Sequence, residues 1–457
     1  MDSGNTAWVL TSAALVLLMT PGVAFFYGGM VRPRSVLNML MMSIGSMGVV
    51  GVLWVLFGYS AAFGTDLGAG LLGNPAEHFA LADLLGADSA FGTVPSTAFV
   101  AFQAMFAIIT VALISGAIAD RARFGPWLVF ATLWAVVVYF PVAHWVFDFD
   151  GTDAAGNVVE PGGWIANGLA ALDFAGGTAV HINAGAAALA LALVLGRRIG
   201  WPQEPMKPHN LPLVMLGAAL LWFGWFGFNA GSALAADGTA AVVFVNTLAA
   251  TSAAMLVWLL VERLRDGHAT TLGAASGIVA GLVAITPAGN SVTPLGALVI
   301  GAAAGALCAL AVGLKYRFRY DDSLDVVGIH LVGGLVGTLL IGLFASDSAP
   351  AGVNGLFYGG GLDQLWRQAI GALAVLVYSF VVSLLLALVV RATIGFRAAP
   401  EAETGGIDEA EHAESAYDFG GFGRAARTPV PVRVIENTSN GTSDVATPVG
   451  ADEGSKV

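Results

Sequence analysis

The chain has 457 residues, of which 57% are apolar and only 11% charged, with a formal net charge of −12. A soluble domain carries about a quarter of its residues charged, so a soluble globular fold is excluded, and no nucleic-acid partner is expected. The single cysteine, Cys308, excludes a disulfide framework and a thiolate metal cluster and reads as packing. The 60 glycines suit a polytopic helical bundle, where small residues let helices approach closely.

A helix that crosses a bilayer needs about 20 predominantly apolar residues. Charge-free windows of that order run 3–31, 35–64, 89–119, 124–147, 174–196, 210–236, 238–261, 269–314, 326–346 and 368–390. No basic region precedes the first window and Asp2 is acidic, so that helix is expected to insert as it stands, not as a signal peptide. The window 269–314 is too long for one crossing, and Pro287 and Pro294 flank a polar break (TPAGNSVTP) that divides it into two helices and a turn. The expected fold is therefore an all-α integral membrane protein with eleven transmembrane helices.

Orientation follows from Lys and Arg. Fourteen of them (Arg32, Arg34, Arg121, Arg123, Arg197, Arg198, Lys207, Arg263, Arg265, Lys315, Arg317, Arg319, Arg391 and Arg397) follow odd-numbered helices, and the alternate loops hold only Arg367. The N-terminus is expected outside and the C-terminus inside. The outer loops are acidic, with Asp66, Glu77, Asp83 and Asp88 in one and Asp148, Asp150, Asp153 and Glu160 in the next. A solvated face explains them, although a negative outer field also concentrates cations. The membrane domain spans 1–396. A tail at 397–457 holds eleven acidic and four basic residues beyond 397; its first part, 397–423, is expected to dock on the inner face, and 428–457 to be disordered.

Two histidines, His181 and His330, lie inside the fifth and tenth helices. Ionisable side chains at that depth are costly and mark a transport path or proton relay, or are satisfied by a neighbouring helix carbonyl. If helices one to five and six to ten form two halves, the odd number of spans gives the halves opposite orientation. That is an inverted repeat with a long eleventh helix, at about 363–394, added. The histidines then occupy equivalent places, and Asp173 and Asp325 each precede one. Two membrane histidines with no third ligand make a poor zinc site, so no metal, cofactor or enzymatic activity is expected.

The segments TPGVAFFYGGMVR (20–32), AFQAMFAIITVALISGAIADR (101–121), ALDFAGGTAVHINAG (171–185), GWFGFNAGSA (224–233) and DDSLDVVGIHLVGG (321–334) carry a further signal. In these the chain resembles the ammonium transporters of the Amt/Mep/Rh superfamily, as an Amt-type prokaryotic member, over about residues 7–417. The resemblance implies a homotrimer in the cell membrane that recruits ammonium at an outer aromatic site and deprotonates it. Ammonia then crosses a hydrophobic pore, with the proton co-transferred.

It also implies roles. Phe106 and Phe228 match the stacked gate, and Ser232 the hydroxyl that accepts from ammonium. His181 and His330 match the twin pore histidines, with Trp225 beside them, and Asp173 a buried carboxylate below the recruitment site. Each has a plainer reading: the phenylalanines pack, Asp173 caps the fifth helix, and Ser232 bonds back to a helix carbonyl. His144 and His209 are expected outside the pore. The family's usual tryptophan after AHxV is Phe147 here, a weaker cation–π partner, and Trp145 or Trp164 stands as the alternative third wall. In the tail, Asp408, His412, Glu414, Ala416 and Tyr417 match a recurring pattern. They are expected to dock on Arg197, Arg198 and Arg263, beside a PII-type signalling protein. A passive ammonia or carbon dioxide channel and an ammonium sensor acting through its tail are the rival functions.

Overall fold

The computed structural model describes residues 1–153 and 155–417. The expected disorder at 428–457 and the stretch 418–423 lie outside the described residues. Met1–Ala416 form one compact unit, and Tyr417 falls in a second, Tyr417–Val457.

The helices of the first unit are α1 (Ser3–Met30), α2 (Val36–Phe63), α3 (Ser96–Ile118), α4 (Phe124–Phe147), α5 (Gly177–Leu195) and α6 (Leu211–Gly231). They continue with α7 (Gly238–Asp266), α8 (Thr271–Ile285), α9 (Pro294–Phe318), α10 (Val327–Phe344) and α11 (Asp363–Thr393). Among the described residues, ten of these are long and apolar enough to cross a membrane; α8, with 15 residues, falls short. The helix starts carry the expected chemistry. Asp2, Asn210, Asp237, Thr270 and Thr293 each accept a backbone N–H at the first turn of α1, α6, α7, α8 and α9.

The break at Pro287 and Pro294 falls where the sequence puts it, and it explains why α8 is short. This helix ends inside the protein, and the Thr286, Ser291 and Val292 side chains of the turn are fully buried. Irregular backbone survives there because its carbonyls are served: Asn246 on α7 donates to Gly289 O (2.9 Å) and Val292 O (2.8 Å).

α1 packs along α6 and α3, α7 packs against both α8 and α9, and α5 and α10 each pack against α11. One end of the bundle gathers the acidic loops, including a small antiparallel hairpin (Gly151–Thr152 with Val158–Glu160). At the other, basic end Arg198 is buried and bound on both sides. It donates to both oxygens of Asp321 (3.0 and 2.9 Å) and to Asp120 (3.2 Å).

That clamp corrects the expected docking of the tail. Arg198 is taken by Asp120 and Asp321, Arg197 donates to Arg319 O, and Arg263 bonds to Gly267 O. The tail instead folds into α12 (Pro400–Gly405) and α13 (Ile407–His412) and serves free helix N–H groups. Asp408 accepts from Leu37 N (3.1 Å) and Asn38 N (2.8 Å), the open end of α2. Glu411 accepts from Phe124 N and pairs with Arg123, and Glu403 accepts from Ile199 N and Arg397. His412 meets Asn38 Oδ1 at 3.1 Å. Glu414, matched on sequence, is exposed; Glu411 and Glu403 hold the positions that the sequence reading missed.

Candidate functional site

α5 and α10 begin in the same unusual way. Each opens on wide, π-type turns, Gly177–Ile182 and Val327–Leu331, that carry the histidine and then tighten into ordinary helix. At the head of α5, Gly176 takes a left-handed φ of +111°, a glycine conformation that reverses the chain. The carboxylate of Asp173 is thereby surrounded. It accepts from Gly176 N (2.8 Å), Gly177 N (2.7 Å), Thr178 N (2.7 Å) and Ala179 N (3.1 Å). At the head of α10 the equivalent residue is Asp322, which accepts from Val327 N at 2.7 Å. Asp173 and Asp322 each lie eight residues before their histidine. The Asp325 echo noted on sequence is displaced: Asp325 pairs with Lys315 at 2.6 Å.

Two glycines bring the helices together. A Cβ on Gly185 would sit 2.5 Å from Leu331 N, and one on Gly334 would sit 3.0 Å from Gly177 O. Each is four residues past its histidine, on the same helix face. The backbones can therefore meet, and His181 Nδ1 lies 3.2 Å from His330 Nδ1, with ring planes 22° apart. Two facing Nδ1 atoms form a hydrogen bond only if one carries a proton and the other does not. The pair is thus a single donor–acceptor unit. His181 Nε2 is buried and has no hydrogen-bond partner among the described residues.

A column of rings stands over this pair. Phe228 is 6.2 Å from His181 and stacks on Phe106 at 4.1 Å and 27°. Phe106 meets Phe102 at 4.9 Å and Phe147 edge-on at 6.3 Å. Phe102, one helical turn before Phe106, was not singled out on sequence. Trp225 lies flat against His181 at 5.3 Å and 20°. Below Phe228, a largely apolar cavity runs past both histidines and is lined by Tyr27, Leu113, Leu221 and Leu324. Ser232, one turn beyond Phe228, donates to Phe228 O at 2.9 Å, which leaves its lone pairs free to accept.

Of the three rings offered as a third wall, Phe147 is the one placed against Phe106. Trp145 donates to Leu71 O (2.8 Å) and packs on Tyr378 (4.7 Å) and Trp164 (5.9 Å), while Phe147 is the ring that reaches Phe106. His144 lies away from the ring column, at the acidic end. Fully buried, it faces Ala62 O (3.0 Å), Asp66 (3.3 Å) and Asp148 (3.3 Å). Burial, then Asp66, Asp150, Glu160 and Glu77 nearby, pushes the Asp148 carboxyl up to about 8. His209 sits at the basic end, with Nδ1 2.8 Å from Val31 O.

The profile of the Ammonium Transporter Family matches residues 7–417. This chain belongs to the ammonium transporter family. It is 63% identical to the ammonium transporter of Mycobacterium tuberculosis strain H37Rv, over 97% of this chain and 96% of that protein. Among solved structures it is similar to Saccharomyces cerevisiae Mep2 (TM-score 0.77, 37% identity, covering 87% of this chain and 88% of that one). It is also similar to a protein described as Sensor Amt Protein (TM-score 0.81, 30% identity, covering 90% and 98%). With ten apolar helices, a member of this family is a multi-pass membrane protein, and its relatives are named as transporters.

Proposed function

We propose that this protein moves ammonium across the cell membrane by binding the cation outside, deprotonating it and passing ammonia through the pore with its proton following. The observation that carries the reading is the facing Nδ1 pair of His181 and His330, enclosed beneath the stacked Phe106 and Phe228. Ammonium differs from a metal cation in that it can lose a proton and become small and neutral. A stacked phenylalanine pair excludes a hydrated ion, and Phe106, Phe147 and Phe228 offer faces worth about 0.5–2 kcal/mol of cation–π attraction each. Ser232 supplies an acceptor for ammonium N–H, and Asp173 holds the head of α5. A shared hydrogen bond between two imidazoles then lets a proton arrive on one ring and leave from the other.

The same reading takes eleven crossings, with α8 the short one, the N-terminus outside and the C-terminus inside. The matched Asp and Gly positions around His181 and His330 support an inverted repeat of α1–α5 and α6–α10. The subunits form a homotrimer. The tail, held by Asp408 and His412 against α2, is a surface for a PII-type signalling protein, with Glu414 exposed and Tyr417 three residues further along the chain. No metal or cofactor enters the scheme. An ammonium jump applied to liposomes holding the purified protein tests it: an inward current is expected, whereas ammonia uptake without current would make the protein a passive gas channel.

A further inference from the structure

The turn between α8 and α9 touches the His181 site from two sides. Thr286 accepts from Trp225 Nε1 at 2.8 Å, and Trp225 lies flat on the His181 ring. Next to it, Pro287 O accepts from Phe174 N at 3.1 Å. The Pro287 ring fills the space over Gly177, where no Cβ could fit. One broken segment thus braces both the face of His181 and the turn that leads into its helix.

Behind Thr286 the hydrogen bonds continue away from the pore. Thr286 Oγ1 lies 3.1 Å from Asn229 Oδ1 and 2.7 Å from Leu282 O, and Asn229 Nδ2 donates to Thr247 Oγ1 at 3.1 Å. Thr247 donates in turn to Val243 O at 2.8 Å. Thr286, Asn229 and Thr247 are all fully buried. Packing alone does not call for three polar side chains there, because buried polar groups are tolerated only when paired. The direction of the chain is fixed at its start, since an indole nitrogen only donates. Trp225 therefore has one orientation in which its N–H is served, and in that orientation its face is presented to His181.

We infer that Thr286, backed by Asn229 and Thr247, is a positioning residue that locks Trp225 against His181 and so holds the histidine pair in register for proton transfer. The inference rests on the proposed function above. Its consequence is specific: removing the Thr286 hydroxyl frees the indole to tilt, and His181 to rotate away from His330 Nδ1, while the outer ring site and Ser232 stay as they are.

The test uses full-length protein in liposomes, with current recorded over a series of ammonium jumps. Thr286→Val should lower the maximal current by about tenfold, the rate equivalent of one lost hydrogen bond, with the half-saturating ammonium concentration unchanged. Thr286→Ser, which keeps the hydroxyl, should retain the current. Trp225→Phe keeps a ring face and deletes the N–H, so it should reproduce the loss. In that background Thr286→Val should then add nothing, as a double-mutant cycle requires of two partners in one interaction. Full current in Thr286→Val, a shift confined to half-saturation, or losses that simply add in the double variant would each overturn the inference. A wild-type protein that gives no current defeats the proposed function instead. If Thr286→Val does not fold, Trp225→Phe with and without Thr286→Ser decides: an undiminished current in Trp225→Phe refutes the lock.

Discussion

Replacing Asp173 by asparagine changes almost no volume and removes one charge, which isolates what the carboxylate does. Four N–H groups point at its two oxygens from 2.7 to 3.1 Å, and this leaves no acceptor for a carboxylic proton. Asparagine keeps one oxygen, enough for two of the four donors, and turns its own NH2 against the other two. Two hydrogen bonds to a charged group are lost, at about 1.5–3 kcal/mol each. Local relaxation of the Gly176 turn returns part of this, so the expected loss of stability is about 2–4 kcal/mol, above the usual range for a helix cap. Equilibrium unfolding in mild detergent, followed by tryptophan fluorescence, measures the loss. The ammonium current of the same preparation in liposomes should fall with it, because the served turn Gly176–Ala179 leads directly into His181. A variant within about 0.5 kcal/mol of wild type, the range of ordinary surface substitutions, would show that these N–H groups do not depend on Asp173.

Three further outcomes follow from the geometry. Phe147→Trp enlarges the ring that meets Phe106, so the half-saturating ammonium concentration should fall by about two- to fivefold, from the modest gain in cation–π attraction; no change in the dose–response curve would place the cation elsewhere. Asp148 stays protonated in the folded protein up to about pH 8. The unfolded chain ionises it near pH 4, so this group makes stability fall as pH rises between the two values. Thermal unfolding from pH 5 to 8 should show that slope, flattened in Asp148→Asn, and an unchanged slope in the variant would refute the assignment. Deleting 429–457 should leave transport intact, whereas Asp408→Ala should impair transport or its inhibition, because two N–H groups of α2 lose their acceptor; equal currents in both, with and without the signalling protein, would rule out a docked regulatory tail.

The bundle was legible because lipid leaves a simple record in sequence: charge-free windows, with arginines after every second one. Pro287 and Pro294 marked the one break inside a window, and Asp173 could be read as a cap because cap and helix are neighbours in the chain. Residues whose partners lie far away in sequence were harder to read. Asp66 is 78 residues from His144 and meets it only once α2 and α4 are packed. Asp325 looked like the echo of Asp173 because it stands closer to His330, yet the π-type start of α10 puts Asp322 at the cap. The tail was assigned to arginines because charge is visible in sequence; the free N–H groups of α2 that Asp408 serves belong to backbone and leave no mark in composition. Thr286, Asn229 and Thr247 read as scattered polar residues until Trp225 gave them a direction.

In the proposed mechanism a proton passes along His181 and His330. Current and ammonium uptake, recorded together in liposomes holding wild type, His181→Ala or His330→Ala, test it most directly. An ammonium-evoked current is expected in the wild type and none in either variant, whatever uncharged flux persists. Wild-type currents in both alanine variants would contradict it.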